Sequence, residues 1–421
     1  MKLIAGFMFL IAILVSVVVA AAPSDNGSPD NNSQRYYVMS DNPALKLVFG
    51  ARHDFGKAFS AELTEREVGL LKKLGVKLEP VGIFYINGKP TCNNNGVCEP
   101  ELGENPSCSD CKSSTDEEEP IERRACYPTD QYPWGVEMVN GGSGGSGVLD
   151  TGVDTDHPDL KGNIMDCKDA TKRKIVGGCE DKSGHGTHVA GTIAANGGSD
   201  GAGIFGVAPE SKLMVVKVCG ASGLCWGDDI AAGIRYAADN GAKIISMSLG
   251  GNSPDPLILD AIDYAVSNDV LVVAAAGNDG PENGSIDYPA ADVNVIAVGA
   301  IDSGKNVPYW SSRGVNPGEQ EFVIEEKEVE FGAPGVGVYS TWNDGCYAVM
   351  DGTSMATPHV SGLAAKVWSD GSADIDGDDN VTAEEVRAYL QGLAKNNPNN
   401  DLYTPGDDPA TGFGLPVAPT E

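Results

Sequence analysis

Three side chains far apart in the chain have the types needed to open a carbonyl group. They are a carboxylate in VLDTGVD at Asp150, an imidazole in GHGTHVAG at His185 and a hydroxyl in DGTSMATPHVSG at Ser354. A serine hydroxyl is a poor nucleophile alone. It attacks once a base takes its proton, and the base works best when a carboxylate orients it and stabilises the imidazolium. Ser354 also stands where a loop meets a helical run, and there backbone N–H groups and the helix dipole favour developing negative charge. Each motif alone is weak: GTS is usually a turn, and HGTH is as often structural as catalytic. Taken together, in the order Asp, His, Ser, they are specific.

Positioning such groups takes strand ends. From Trp134 onward the pattern strand, loop, helix repeats. Strand candidates are KLMVVKV (212–218), KIISMSL (243–249), VLVVAAA (270–276) and NVIAVGA (294–300). Helix candidates are DDIAAGIRYAADNG, PLILDAIDYAVSND and the run after Ser354. Near-continuous apolar strands between amphipathic helices predict an α/β fold, a doubly wound parallel sheet with its chemistry at the carboxyl ends of the strands. Upstream, residues 35–89 alternate apolar runs (YYVM, ALKLVFG, VGIFYI) with one helical stretch, LTEREVGLLKKLG. Thr64 and Glu67 give that helix a capping box. This is a small α/β unit of its own.

Residues 1–22 hold Lys2, an apolar run from Leu3 to Val19 and a small-residue end, the pattern of a secretory signal peptide. The expected product is secreted and extracellular, because no later run is apolar and long enough to span a bilayer. Export makes the cysteines readable as disulfides. Residues 23–34 form a polar spacer. In residues 91–111, Cys92, Cys98, Cys108 and Cys111 imply two disulfides, with a zinc site as the alternative. Residues 112–130 make an acidic linker. The net charge of −31 excludes nucleic acid as a partner, since no basic stripe offsets the repulsion.

On these motifs the chain from about Trp134 to Ala418, ending in GFGLPVA, resembles the subtilisin-like serine proteases, the subtilase family. The order of the three groups differs from the Ser, Asp, His order of α/β-hydrolases, and no G-x-S-x-G surrounds Ser354. The resemblance implies a secreted serine endopeptidase forming an acyl-enzyme, with Asp150, His185 and Ser354 as its triad and residues 131–421 as the catalytic domain. Asn278, in VLVVAAAGNDG, would supply the oxyanion donor; the other reading is a turn-forming Asn before Asp-Gly. A peptide or protein substrate would add as a strand between Ser248-Leu249-Gly250 and Gly223-Leu224. Asp287 aligns near the floor of the primary specificity pocket, where it would favour Lys or Arg; an outward carboxylate with broad preference is the alternative. Residues 35–90 resemble the family's inhibitory propeptide, which makes the protein a zymogen with an intramolecular inhibitor. The maturation cut is expected at Arg123-Arg124, just before Ala125, and the product as a monomer.

DIDGDDNVTAEE fits an EF-hand calcium loop, with Asp374, Asp376, Asp378, the Asn380 carbonyl, Thr382 and Glu385 as ligands. Its sixth position, usually Gly, is Asp379, so a simple acidic turn is the alternative. The family resemblance suggests another calcium site at Asp159 and the loop 196–204. Nearness in sequence pairs Cys167 with Cys179 and Cys219 with Cys225, leaving Cys126 with Cys346. One departure stands out. A GGSGGSG run at 141–147 occupies the place of a fuller strand, leaving only Val148 and Leu149 before Asp150. It keeps a second class of function open, a catalytically weak, calcium-dependent surface or binding protein.

Overall fold

An apolar run becomes a central strand when neighbours on both sides complete its backbone hydrogen bonds and helices cover its two faces. The computed structural model of the protein describes residues 33–86, 124–139, 146–315, 324–396 and 408–419. The signal peptide, the cysteine-rich segment and the first part of the GGSGGSG run lie outside them. The chain divides between Val81 and Gly82 into two compact units.

The first unit runs β1 (Gln34–Val38), α1 (Pro43–Val48), β2 (Phe59–Leu63), α2 (Glu65–Lys73) and β3 (Leu78–Pro80). Its antiparallel sheet has the order β2-β1-β3. Val38, Leu45, Phe59, Leu63 and Leu71 make its core. The capping box forms: the Glu67 N–H donates to Thr64 Oγ1 (3.4 Å) and the Thr64 N–H to Glu67 Oε2 (2.8 Å). ALKLVFG, set beside a single expected helix, is itself helical. Asn42 Oδ1 accepts from the Ala44 N–H, and Pro43 opens the first turn.

The second unit opens with β4 (Ile83–Tyr85), β5 (Arg124–Ala125), α3 (Trp134–Val139), β6 (Ser146–Asp150), β7 (Ile164–Asp169), β8 (Val176–Gly177) and α4 (His185–Ala194). It continues with β9 (Leu213–Lys217), β10 (Leu224–Trp226), α5 (Gly227–Asp239), β11 (Ile244–Met247), α6 (Pro256–Ser267), β12 (Leu271–Ala275) and β13 (Val295–Ile301). Last come β14 (Phe331–Pro334), β15 (Val338–Trp342), β16 (Cys346–Met350), α7 (Thr353–Ser369) and α8 (Ala383–Asn396). The main sheet has the order β14-β13-β12-β11-β6-β9-β7-β8, and every pair is parallel except β7 with β8. Every residue of β11, β12 and β13 is buried, so both faces are covered, as a doubly wound sheet requires.

All four expected strands form, and the strand before Asp150 is longer than Val148-Leu149. It starts at Ser146, pairing Ser146 with Leu213, and Gly147 with both Met214 and Ile245. Pairing uses backbone groups alone, so a linker-like composition still completes the ladder between β9 and β11. The three disulfides Cys126–Cys346, Cys167–Cys179 and Cys219–Cys225 are formed.

Candidate active site

The parallel register brings three strand ends to one edge of the sheet. Leu149 lies beside Met247, and Met247 beside Ala274, so Asp150, Ser248 and Asn278 follow at the carboxyl ends of β6, β11 and β12. Asp150 and His185 are buried, at 0% and 1% exposure, and Asp150 Oδ1 stands 2.7 Å from His185 Nδ1. With that nitrogen donating, Nε2 is the basic one, facing away from the carboxylate. Asp150 Oδ1 also accepts from the Thr151 N–H at 2.6 Å. His185 opens α4, and Gly186 lets the helix meet the strand end. A Cβ there would lie 2.2 Å from the Gly152 carbonyl oxygen.

A residue missed in the sequence organises this corner. Asp181 Oδ1 accepts from the Ser183 and Gly184 N–H groups and from Thr151 Oγ1, and its Oδ2 from Thr187 N–H and Oγ1. Burial alone would raise its carboxyl, but these bonds together hold it below the usual carboxylate range. Thr151 Oγ1 in turn accepts from the Gly186 N–H. Asp181 therefore ties the start of the His185 helix to the residue after Asp150. An acid shortly before a helix start was the available signal. Lys217, paired with Asp150 in register, donates to the Thr151 carbonyl, and burial lowers its ammonium pKa. His188, one turn along α4, donates from Nε2 to the Val338 and Ala348 carbonyls. Burial, then the neighbouring His185, pushes its pKa down to about 3, so it serves as a neutral structural group.

Ser354 is the second residue of α7, which packs against α4. Its hydroxyl lies 3.2 Å from the Ser248 carbonyl oxygen and 3.3 Å from that of Ile86, while Ser248 Oγ donates to the Ser354 carbonyl at 2.7 Å. His185 Nε2 makes no hydrogen bond among the described residues, so the Asp150–His185 contact is closed and no bond joins His185 to Ser354. Rotation of the serine about χ1 between staggered wells is the inexpensive motion that re-aims its hydroxyl. Asn278 Oδ1 accepts from Thr353 N–H and Oγ1, both at 3.0 Å. That double bond to the oxygen fixes the amide plane and leaves Nδ2 on the side of Gly352, 3.6 Å from where a Cβ there would stand.

The two expected substrate edges are occupied by the chain itself. Leu224, Cys225 and Trp226 pair antiparallel with Tyr85, Phe84 and Ile83, and the Ile86 N–H donates to the Gly223 carbonyl at 3.1 Å. On the other side Tyr85 and Gly250 exchange both backbone bonds at 2.9 Å. Gly223 has to be glycine twice over: its φ is +78°, and a Cβ would stand 2.7 Å from the Ile86 side chain. Leu249 is buried at 1% exposure between the two flanking residues. Asp287, at 1% exposure, is turned inward rather than outward. Its carboxylate lies beneath the groove, with Oδ2 2.9 Å from a Cβ position on Gly250 and 2.8 Å from one on Gly277.

The Subtilase family signature matches residues 147–414. This chain belongs to the subtilase family. A subtilisin from Bacillus sp. (strain TA39) is 36% identical over 98% of each chain. Subtilisin Savinase from Lederbergia lenta is 41% identical over 65% of this chain and 95% of its own. The solved structure of sphericase is 44% identical, with a TM-score of 0.64, over 69% of this chain and 99% of that one. The protein is thus a subtilisin-like serine endopeptidase, and the sheet, the buried Asp–His pair and the serine helix are this subtilase's version of that architecture.

The residues expected to hold calcium in this subtilase differ in how well they fit. One oxygen from each of Asp374, Asp376 and Asp378 lies within 4.8 Å of the others, a hard oxygen set. Asp379, at the sixth position, takes the left-handed backbone, φ 65°, that a Gly there would. Asn380 continues the turn, its N–H donating to Asp378 Oδ1. Glu385 Oε2 is taken by the Thr382 N–H and Oγ1, which caps α8, while Oε1 has no hydrogen bond among the described residues. At the other place Asp159 Oδ2 accepts from the Ile204 N–H and the Tyr347 hydroxyl, so direct bonds already close the loop 196–204 on it.

Proposed function

We propose that the protein is a secreted zymogen whose catalytic unit cleaves peptide bonds through Asp150, His185 and Ser354. The observation that carries this is the buried, 2.7 Å Asp150–His185 contact at the strand edge that also bears Ser248 and Asn278. Ser354 attacks the scissile carbonyl and passes its proton to His185 Nε2, and Asp150 steadies the imidazolium. Asn278 Nδ2 and the Ser354 N–H stabilise the oxyanion. The substrate adds as an extended strand between Gly223-Leu224 and Ser248-Leu249-Gly250, in the manner that residues 83–86 adopt. Residues 35–90 act as the inhibitory propeptide, and the mature enzyme works as a soluble monomer outside the cell. Calcium, held by Asp374, Asp376 and Asp378 with Asn380, Thr382 and Glu385, would brace the loop before α8. Asp159 is the weaker candidate.

Casein hydrolysis blocked by a serine-directed phosphonate tests the reading, and Ser354→Ala should lower turnover by at least about 10⁴-fold. Retained hydrolysis in that variant would remove Ser354 as the nucleophile, and no phosphonate-sensitive hydrolysis by the unaltered chain would leave only a binding protein of this fold. Asp287, inward beneath the groove, biases cleavage toward Lys and Arg. Profiling Asp287→Gly on a peptide library should show that bias lost, and an unchanged profile removes the role.

A further inference from the structure

The groove extends further from Ser354 than its two walls. Residues 83–86 pair with Gly223–Trp226 on one side and with Gly250 on the other, and the Ile86 carbonyl oxygen lies 3.3 Å from Ser354 Oγ. One residue upstream of that ladder, Gly82 is held at both of its backbone groups. Its N–H donates to Asp255 Oδ2 at 3.1 Å, and its carbonyl oxygen accepts from the Gly227 N–H at 2.9 Å. Gly227 opens α5 directly after β10, so its N–H belongs to the first-turn donors that no carbonyl of the same helix accepts. Asp255 caps α6: its Oδ1 accepts from the Leu257 N–H at 3.0 Å and from the Ile258 N–H at 3.3 Å. Those two bonds fix the carboxylate on the helix and leave Oδ2 to face the strand. The residue is 4% exposed, so water does little to weaken what Oδ2 binds. A Cβ on Gly82 would stand 3.0 Å from that oxygen and 3.1 Å from the Phe84 ring, closer than carbon packs without pushing a neighbour aside.

We infer that Asp255 and the Gly227 N–H form an outer subsite of the groove, which takes the amino-terminal glycine of a short extended peptide with its α-amino group free. The inference rests on the reading of this groove as the substrate site. Any peptide residue in the place of Gly82 offers the N–H and carbonyl that Gly82 offers. A free amino terminus offers more, because its ammonium meets the carboxylate in a charge-assisted bond about twice as strong as that of a neutral amide. Glycine adds to this by putting no carbon into the space beside Oδ2. The subsite lies four residues ahead of the one whose carbonyl stands beside Ser354 Oγ. A carboxylate at that separation measures length: it favours peptides whose amino end falls a fixed number of residues before the nucleophile. Asp255 acts through binding alone and is a specificity residue.

The test is competition: peptide amides are titrated against casein hydrolysis by the purified, active protein, and their inhibition constants are compared. The reference peptide is Gly-Ile-Phe-Tyr-Ile amide, which copies residues 82–86. Acetyl-Ile-Phe-Tyr-Ile amide keeps the carbonyl that Gly227 would meet and lacks only the α-amino group; it should bind at least about fivefold more weakly. Acetylating the glycine of the reference peptide, or replacing that glycine by Val, should each weaken binding at least about threefold. Asp255→Asn keeps a good helix cap but removes the charge, so the free and acetylated glycine peptides should then inhibit equally. Equal inhibition by the reference peptide and any of its three relatives on the unaltered protein would overturn the subsite as described and leave the two walls in place. A preference for the free amino group that survives in Asp255→Asn would overturn the role of Asp255. Inhibition by none of the peptides, with casein still hydrolysed, would overturn the strand pairing of the groove and the subsite with it.

Discussion

The two walls of the proposed substrate groove are held in place by different means. One wall, Ser248 to Gly250, continues β11 from the middle of the main sheet, where β12 and β6 pair on both sides and every residue is buried. The other is β10, outside the main sheet, held by the Cys219–Cys225 bridge and by the Gly220 and Leu224 backbone bond. Burial fixes the first wall and a covalent link fixes the second. The first therefore tolerates no change of volume, whereas the second depends on its crosslink.

The largest effect should come from the buried wall. Gly250→Val would drive a Cβ to 2.8 Å from Asp287 Cβ, with the rest of the side chain beyond it. Overpacking of this kind costs about 1–3 kcal/mol of stability. Because the displaced backbone is also the edge that pairs with substrate, kcat/KM on casein should fall by at least about 100-fold. A variant with full activity would show that this wall yields like a loop.

A smaller, differently shaped effect is expected from the stapled wall. Replacing Cys219 and Cys225 together by Ala frees β10 in the unbound enzyme, so KM for a peptide long enough to span the groove should rise several-fold while kcat holds. A short ester substrate should keep its KM. Thermal unfolding should register a loss of about 2 kcal/mol for so short a bridged loop. A fall in kcat with KM unchanged would mean that the bridge serves the catalytic edge and not the wall.

The effect that touches the groove least concerns pH, and it is read in stability. Backbone pairing in the walls does not titrate, but α4 and α7 carry buried His188 and His359. Burial, with His185 nearby, takes His188 to about 3, and burial takes His359 to about 4. Both folded values lie below that of an exposed histidine, so below pH ~6.5 the unfolded chain binds protons that the folded one refuses. Stability should therefore fall as pH falls, by about 1.4 kcal/mol per pH unit for each histidine, until the folded values are reached. Urea melts from pH 7 to 5 of the Ser354→Ala chain, which cannot digest itself, measure this slope; a flat profile would mean that both imidazoles protonate in place.

The contrast between the walls also explains what the sequence disclosed. Central strands such as β12 and β13 announce themselves by runs of apolar residues, because burial on both faces leaves no polar alternation. Asp150, His185 and Ser354 were legible from motif and order, and Asn278 from its place after a strand. The occupant of the groove was not. VGIFYI reads as part of the small upstream unit, and only a ladder with Leu224–Trp226 and Gly250, far along the chain, makes it a bound strand. Ser146 and Gly147 were hidden for the opposite reason: glycine and serine advertise a linker, although a strand with partners on both sides asks nothing of its side chains. The helix at Pro43–Val48 carried its own signals, a capping Asn and a Pro, overshadowed by the apolar run.

The Cys126–Cys346 bridge has a further consequence. In any concentrated stock a protease molecule's commonest neighbour is another copy of itself, and frayed ends are where such neighbours bite first. With the maturation cut expected just before Ala125, tying the start of that product to β16 would leave little slack there for another copy to grip. The bond that steadies one end of the fold should thereby also slow self-digestion.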